Sequence, residues 1–225
     1  MARKEFLPLQ QWGHYINIFG GMPSNGRPGD THCGIGLAFG RNSIPDKDIA
    51  LVRRMREKEG SDFSAIKKLA ACGFKGGVPN NEIGGVVTLF ILGFNLPMIV
   101  QWEIGVVLFQ KYRGATEHLI ASKKLFILWP RPGQASYRTR EVLQDAMAIM
   151  RENGWNSPLL VAHDLHMPRV FMLARKLGVQ PIVGFKSITR DFDPKSVQPP
   201  TSSLWRWLLT YEPWGRIHHL LHGWV

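Results

Sequence analysis

The sequence predicts an α/β protein: a three-layer, Rossmann-like sandwich on a mostly parallel sheet of about five strands. Three observations point there. Five short apolar runs stand apart along the chain, at 35–39, 97–101, 124–129, 159–162 and 181–185. None alternates polar with apolar, and a strand without a polar face is covered on both sides. Between the runs lie segments of helical period, the arrangement of a parallel sheet with crossover helices.

The elements follow in order. Residues 1–32 read as an N-terminal arm and loop packing on the body, apolar up to Phe19 and then dense in Gly, Pro, Ser and Asn. Residues 33–225 read as one domain, a division that suits a chain of 225 residues. The first strand stops at Gly40, and Asn42 or Ser43 can cap a helix starting near Pro45, where Ile49, Val52 and Met55 share a face over 46–58. A helix is expected over 62–71, and Gly73, Gly76, Gly77 and Pro79 then break the chain. Residues 83–102 are uncharged, about the length that spans a bilayer. Asn95-Leu-Pro97 interrupts them, so a buried helix near 81–93 followed by a strand is the expected form, with no transmembrane span. Helices are expected over 104–112, over 140–153 with Thr139 as its cap and Gly154 as its stop, and over 168–177 with Pro168 first and Gly178 last. Residues 186–203 read as a polar, Pro-rich connection. Residues 203–225 hold four of the eight tryptophans and read as one or two helices laid against the sheet; a partner-binding or membrane-surface helix is the rival.

The formal net charge is +11, which favours anionic partners such as nucleic acid, acidic lipid or a phosphorylated ligand. The excess is spread along the chain. Its densest cluster, Arg53, Arg54, Arg56 and Lys58, alternates with Glu57 and Glu59 and reads as a solvated helix face rather than a nucleic-acid groove. The two cysteines, Cys33 and Cys72, have no metal-ligand spacing and read as free thiols in a reducing compartment. No apolar h-region follows the charged start, so a cytoplasmic location is expected.

Ligands of open parallel sheets bind beyond the carboxyl ends of the strands. The residues after each strand are therefore the candidates. They are Arg41 and Asn42 after the first, Gln101 and Glu103 after the second, Ser136, Thr139 and Arg140 after the third, and His163, His166 and Arg169 after the fourth. Arg169 at a helix entrance can clamp a phosphate or carboxylate. His166, with His163, can act as acid or base, and Glu103 can orient a histidine. No metal site is expected. Neither a Gly-Lys-Ser/Thr phosphate loop nor a Gly-x-Gly-x-x-Gly turn is present.

These residues resemble a family. Leu159-Leu-Val-Ala-His-Asp-Leu-His-Met-Pro-Arg-Val is similar to the strand-to-helix signature of bacterial YdcF-like (SanA/ElyC) proteins. Ser136-Tyr-Arg-Thr-Arg-Glu-Val resembles the motif before the preceding helix, and Tyr211-Glu-Pro-Trp-Gly the closing acidic segment. The resemblance covers 95–225, and 33–60 faintly. The family's glycines after the second strand are replaced by Gln101-Trp102-Glu103, and after the first only Gly40 remains. The resemblance implies a pocket of Ser136, Thr139, Arg140, His166, Arg169 and Glu212, and a nucleotide-like ligand such as S-adenosylmethionine. The function expected is binding of a small anionic or nucleotide-like molecule at the sheet edge, with a hydrolase or transferase step open. The rivals are a non-enzymatic nucleic-acid binder and a peripheral membrane or partner-binding protein.

Overall fold

The computed structural model describes residues 31–39, 49–131, 138–179, 183–186, 192–196 and 198–211, with positions 214, 217 and 221 beyond them. Residues 1–30 of the expected arm and loop (1–32) and the candidates Arg41, Asn42, Ser136 and Glu212 lie outside these residues.

Four buried strands form the body of the sheet: β1 (Cys33–Gly36), β2 (Met98–Gln101), β3 (Leu125–Leu128) and β4 (Pro158–Ala162). The short segment β5 (Val183–Lys186) pairs along the outer side of β4. The order is β3-β2-β1-β4-β5 and every pairing is parallel. The chain thus winds outward from β1 to β3 and then crosses back to lay β4 on the other side of β1. That reversal leaves a crevice outside the carboxyl ends of β1 and β4.

The helices divide between the two faces. On one side lie α1 (Ile49–Glu59), α2 (Asp62–Ala71), α3 (Gly77–Phe94), α4 (Trp102–Lys111) and α5 (Arg113–Ala121). On the other lie α6 (Thr139–Glu152) and α7 (Met167–Lys176). Strand side chains alternate between the two cores. Met98, Val100, Leu159 and Val161 pack in one, while Ile99, Leu160 and Ala162 pack in the other. Period-two alternation with both faces apolar makes the runs continuous in sequence. Gly36 lets the first face close: a Cβ there would lie 3.1 Å from Val100 Cγ1 and 3.2 Å from Val87 Cγ2 on α3.

Some element boundaries differ from the expected ones for reasons of backbone chemistry. Helix α3 begins at Gly77, not near 81, because Pro79 falls in its first turn, where no amide donor is needed. It ends where Asn95 takes a left-handed conformation (φ 52°), and the Leu96 amide donates to Phe90 O. Helix α5 had no counterpart in the sequence reading. Among its residues only Thr116 is buried, so its apolar period is weak. Gly154 (φ 71°) and Gly178 (φ 82°) follow the ends of α6 and α7. No helix among the described residues is long and apolar enough to cross a membrane.

The tryptophan-rich end departs most from expectation. It runs through a 3-10 turn (Pro199–Ser202), α8 (Leu204–Arg206) and a π-helical turn (Trp207–Tyr211). Trp207 alone of its described large apolar residues is buried, at 1% exposure. Leu204, Trp205, Leu208, Leu209, Trp214, Ile217 and Leu221 are exposed. Among the described residues of the segment, the Trp207 ring is the large apolar side chain seated in the body.

Candidate functional site

The crevice at the β1–β4 reversal is built first from backbone. Past β1 the ladder continues only to Leu37, whose amide donates to Val161 O. The next two amides meet side chains instead. Ala38 N–H donates to Gln101 Oε1 at 2.7 Å, and Phe39 N–H donates to Asn80 Oδ1 at 2.8 Å. Gln101 from β2 and Asn80 from α3 thus fix the chain leaving β1, since buried amides are kept paired. For Gln101, expected to contact a ligand, the contact shown is this backbone clamp. Asn80 had no functional reading, because the Gly/Pro cluster around it reads as a loop.

Past β4 the chain coils into α7. His163 O accepts from the His166 and Met167 amides, both at 2.9 Å. His163 Nδ1 accepts the Leu165 amide at 3.3 Å. Its ring is fully buried and stacks on Phe39, with centroids 3.9 Å apart and planes 9° from parallel. His163 thereby winds the entrance of α7 and supports the Phe39 ring.

His166 does not cap α7 through its side chain. Its ring bridges two elements. Arg169 Nη2 lies 2.8 Å from His166 Nδ1, and Thr139 Oγ1 lies 3.3 Å from His166 Nε2. A guanidinium donates and never accepts, so Nδ1 is the acceptor of this bond. The neutral ring then carries its proton on Nε2 and donates to the Thr139 hydroxyl, which keeps its own proton to donate onward. While the Arg169 bond stands, Nδ1 is occupied and cannot take up a proton. Thr139 is the first residue of α6, and Arg138 holds the cap position, where its amide donates to Glu141 at 2.6 Å. The expected capping role of Thr139 is corrected: its hydroxyl faces His166.

Aromatic rings close over this chain. The Phe39 and Trp207 centroids are 4.7 Å apart, and Phe192 meets Phe39 edge-on at 5.7 Å. Trp207 packs edge-on to His166 at 6.0 Å, and the Arg169 guanidinium carbon lies 5.2 Å from the Trp207 ring centre. A cation held over an indole face in a dry site gains about 2 kcal/mol. Arg169 and His166 are buried beneath the rings, and Thr139 is half-buried at their edge. The 138–140 and 163–169 groups therefore meet, and Gln101 joins them through Ala38 and Phe39. Phe39, Phe192 and Trp207 occupy the space among them. None of these three rings stood among the sequence candidates, since an apolar residue in a strand-like run, a polar connection or a tryptophan-rich end carries no positional signal.

Glu103 is buried in the first turn of α4, and Arg140 is half-buried at the second position of α6. Among the described residues no group of three His, Cys, Asp or Glu side chains stands together as a metal ion requires. On the basic helix α1, Arg53 pairs with Glu57 at 3.8 Å and Arg56 with Asp62 at 2.7 Å. Burial pushes the Cys33 thiol up from 9.0 to about 12, because an apolar interior disfavours the thiolate.

No family model matches the chain, no curated protein matches it, and no solved structure matches it.

Proposed function

We propose that the protein binds a small anionic, nucleotide-like molecule at the carboxyl edge of its sheet, in the manner of a YdcF-like protein. The observation that carries the reading is the hydrogen-bonded chain Arg169–His166–Thr139, set at the topological reversal between β1 and β4. Ligands of open α/β sheets favour that crevice. The chain leads from a buried guanidinium, through an imidazole oriented by it, to the half-buried Thr139 hydroxyl at the edge of the rings, which keeps a proton to donate to an anion there. Thr139, Arg140, His166 and Arg169 are the described residues that the YdcF-like resemblance marks for the pocket. The role of His166 in this reading is to donate through Nε2. A hydrolase or transferase step using it as a base requires that Nδ1 first leave Arg169.

The test is a thermal-shift screen of nucleotides, sugar phosphates and S-adenosylmethionine, followed by titration calorimetry. A ligand at 100 times its Kd stabilises by about 2.7 kcal/mol. Thr139→Val keeps the shape at a half-buried position and removes the donor. Affinity is expected to fall about tenfold, the equivalent of roughly 1.4 kcal/mol. Unchanged affinity in Thr139→Val, or no stabilisation by any anion in the screen, overturns the reading.

A further inference from the structure

We propose that the C-terminal segment is an interfacial anchor, and that its exposed Trp/Leu ridge docks the protein on an anionic phospholipid surface. This inference does not depend on the ligand reading above. Seven large apolar side chains between Leu204 and Leu221 face outward, and three of them are two-thirds or more exposed: Trp205 at 70%, Leu209 at 68% and Leu221 at 80%. Exposed apolar residues scattered singly are ordinary, whereas a clustered set marks an interaction site, and Leu204, Trp205, Leu208 and Leu209 fall close together in α8 and the turn after it.

The segment is held in a form that presents the ridge. Trp207 is seated against Phe39, His166 and Arg169. Ser203 Oγ accepts the Arg206 amide at 3.3 Å, starting the helical turn, and Arg206 Nη1 donates to Ser202 Oγ at 3.0 Å. One ring is therefore pegged inward, while its neighbours Trp205, Leu208 and Leu209 are exposed. Arg206, itself exposed, puts a guanidinium at the foot of the ridge.

Composition and charge select lipid as the occupant. Residues 203–225 contain four tryptophans, two arginines, three histidines and one carboxylate, Glu212, within a chain of net charge +11. Tryptophan prefers the boundary between headgroups and acyl chains, and the exposed Arg206 next to Trp205, on a chain of net charge +11, favours acidic lipid. No described helix is long and apolar enough to cross a bilayer, and the docking proposed is along the surface.

The experiment mixes the whole protein with vesicles of phosphatidylcholine alone or of phosphatidylcholine with phosphatidylglycerol. It measures co-sedimentation, and in parallel the oligomeric state by analytical ultracentrifugation. The parent is expected to partition onto the acidic vesicles at least about tenfold better than onto the neutral ones. The double variant Trp205→Glu/Leu209→Glu should lose about tenfold or more, because two side chains no longer enter the acyl boundary. Leu92→Glu, 68% exposed at the end of α3, adds the same kind of charge elsewhere and should bind like the parent. Leu221→Glu gives an independent probe of the ridge should the double variant fail to fold. Absence of binding to acidic vesicles, parental binding by the ridge variants, or equal loss in Leu92→Glu overturns the proposal. So does a parent oligomer that ignores lipid and dissociates in the ridge variants, which would identify a second copy of the chain as the occupant.

Discussion

Replacing Trp207 by alanine probes whether the C-terminal segment belongs to the folded body. The indole is 1% exposed and touches Phe39 after β1 and His166 and Arg169 at the entrance of α7. A buried aromatic-to-alanine change costs about 3–5 kcal/mol. Of that, the ring pair with Phe39 accounts for about 0.5–1.5 kcal/mol and the Arg169 cation for up to about 2 kcal/mol. The segment is peripheral and can partly collapse into the vacated space, which places the expected loss near 3 kcal/mol, the lower end of the range. Urea unfolding followed by circular dichroism reads this directly. With a slope of about 3 kcal/mol/M, the midpoint falls by about 1 M while the slope is unchanged. A loss below about 0.5 kcal/mol is what an ordinary surface substitution gives, and it would mean that the ring does not seat in the crevice. A double-mutant cycle with Phe39→Leu separates the ring pair from the rest and should return a coupling of at least about 0.5 kcal/mol.

Three further outcomes are expected. Asn80→Leu keeps volume but strips the acceptor from the Phe39 amide, so stability should fall by about 1–3 kcal/mol in urea unfolding; no loss would show that this amide finds another partner. The thiols should differ sharply: exposed Cys72 alkylates in the native protein, whereas Cys33 is modified only on unfolding, as read by mass spectrometry. Because the folded Cys33 thiol ionises at about 12 against 9.0 when unfolded, the unfolded state releases its proton first. Stability from this group is intact below pH 9.0 and declines as pH rises toward about 12. A Cys33→Ala variant should show a shallower alkaline decline, and an identical pH profile would refute the assignment.

The sequence by itself determined the layering. Continuous apolar runs require a sheet covered on both faces, and Asn95, Gly154 and Gly178 mark helix ends because each adopts a positive φ that most residues avoid. It also placed His163, His166 and Arg169 at a strand end, since position after an apolar run is a local property. Tertiary structure decided what those groups touch. That Arg169 occupies His166 Nδ1 and Thr139 receives Nε2 depends on how α6 packs beside α7. That Phe39 and Trp207, far apart in the chain, close over them depends on a single indole finding the crevice. Such contacts join residues that are distant in sequence, and they leave no period or motif to read. The exposed ridge shows the same limit. Its composition is apolar enough for a core, and the sheet face that would have buried it is already occupied by the α1–α5 layer on one side and α6–α7 on the other.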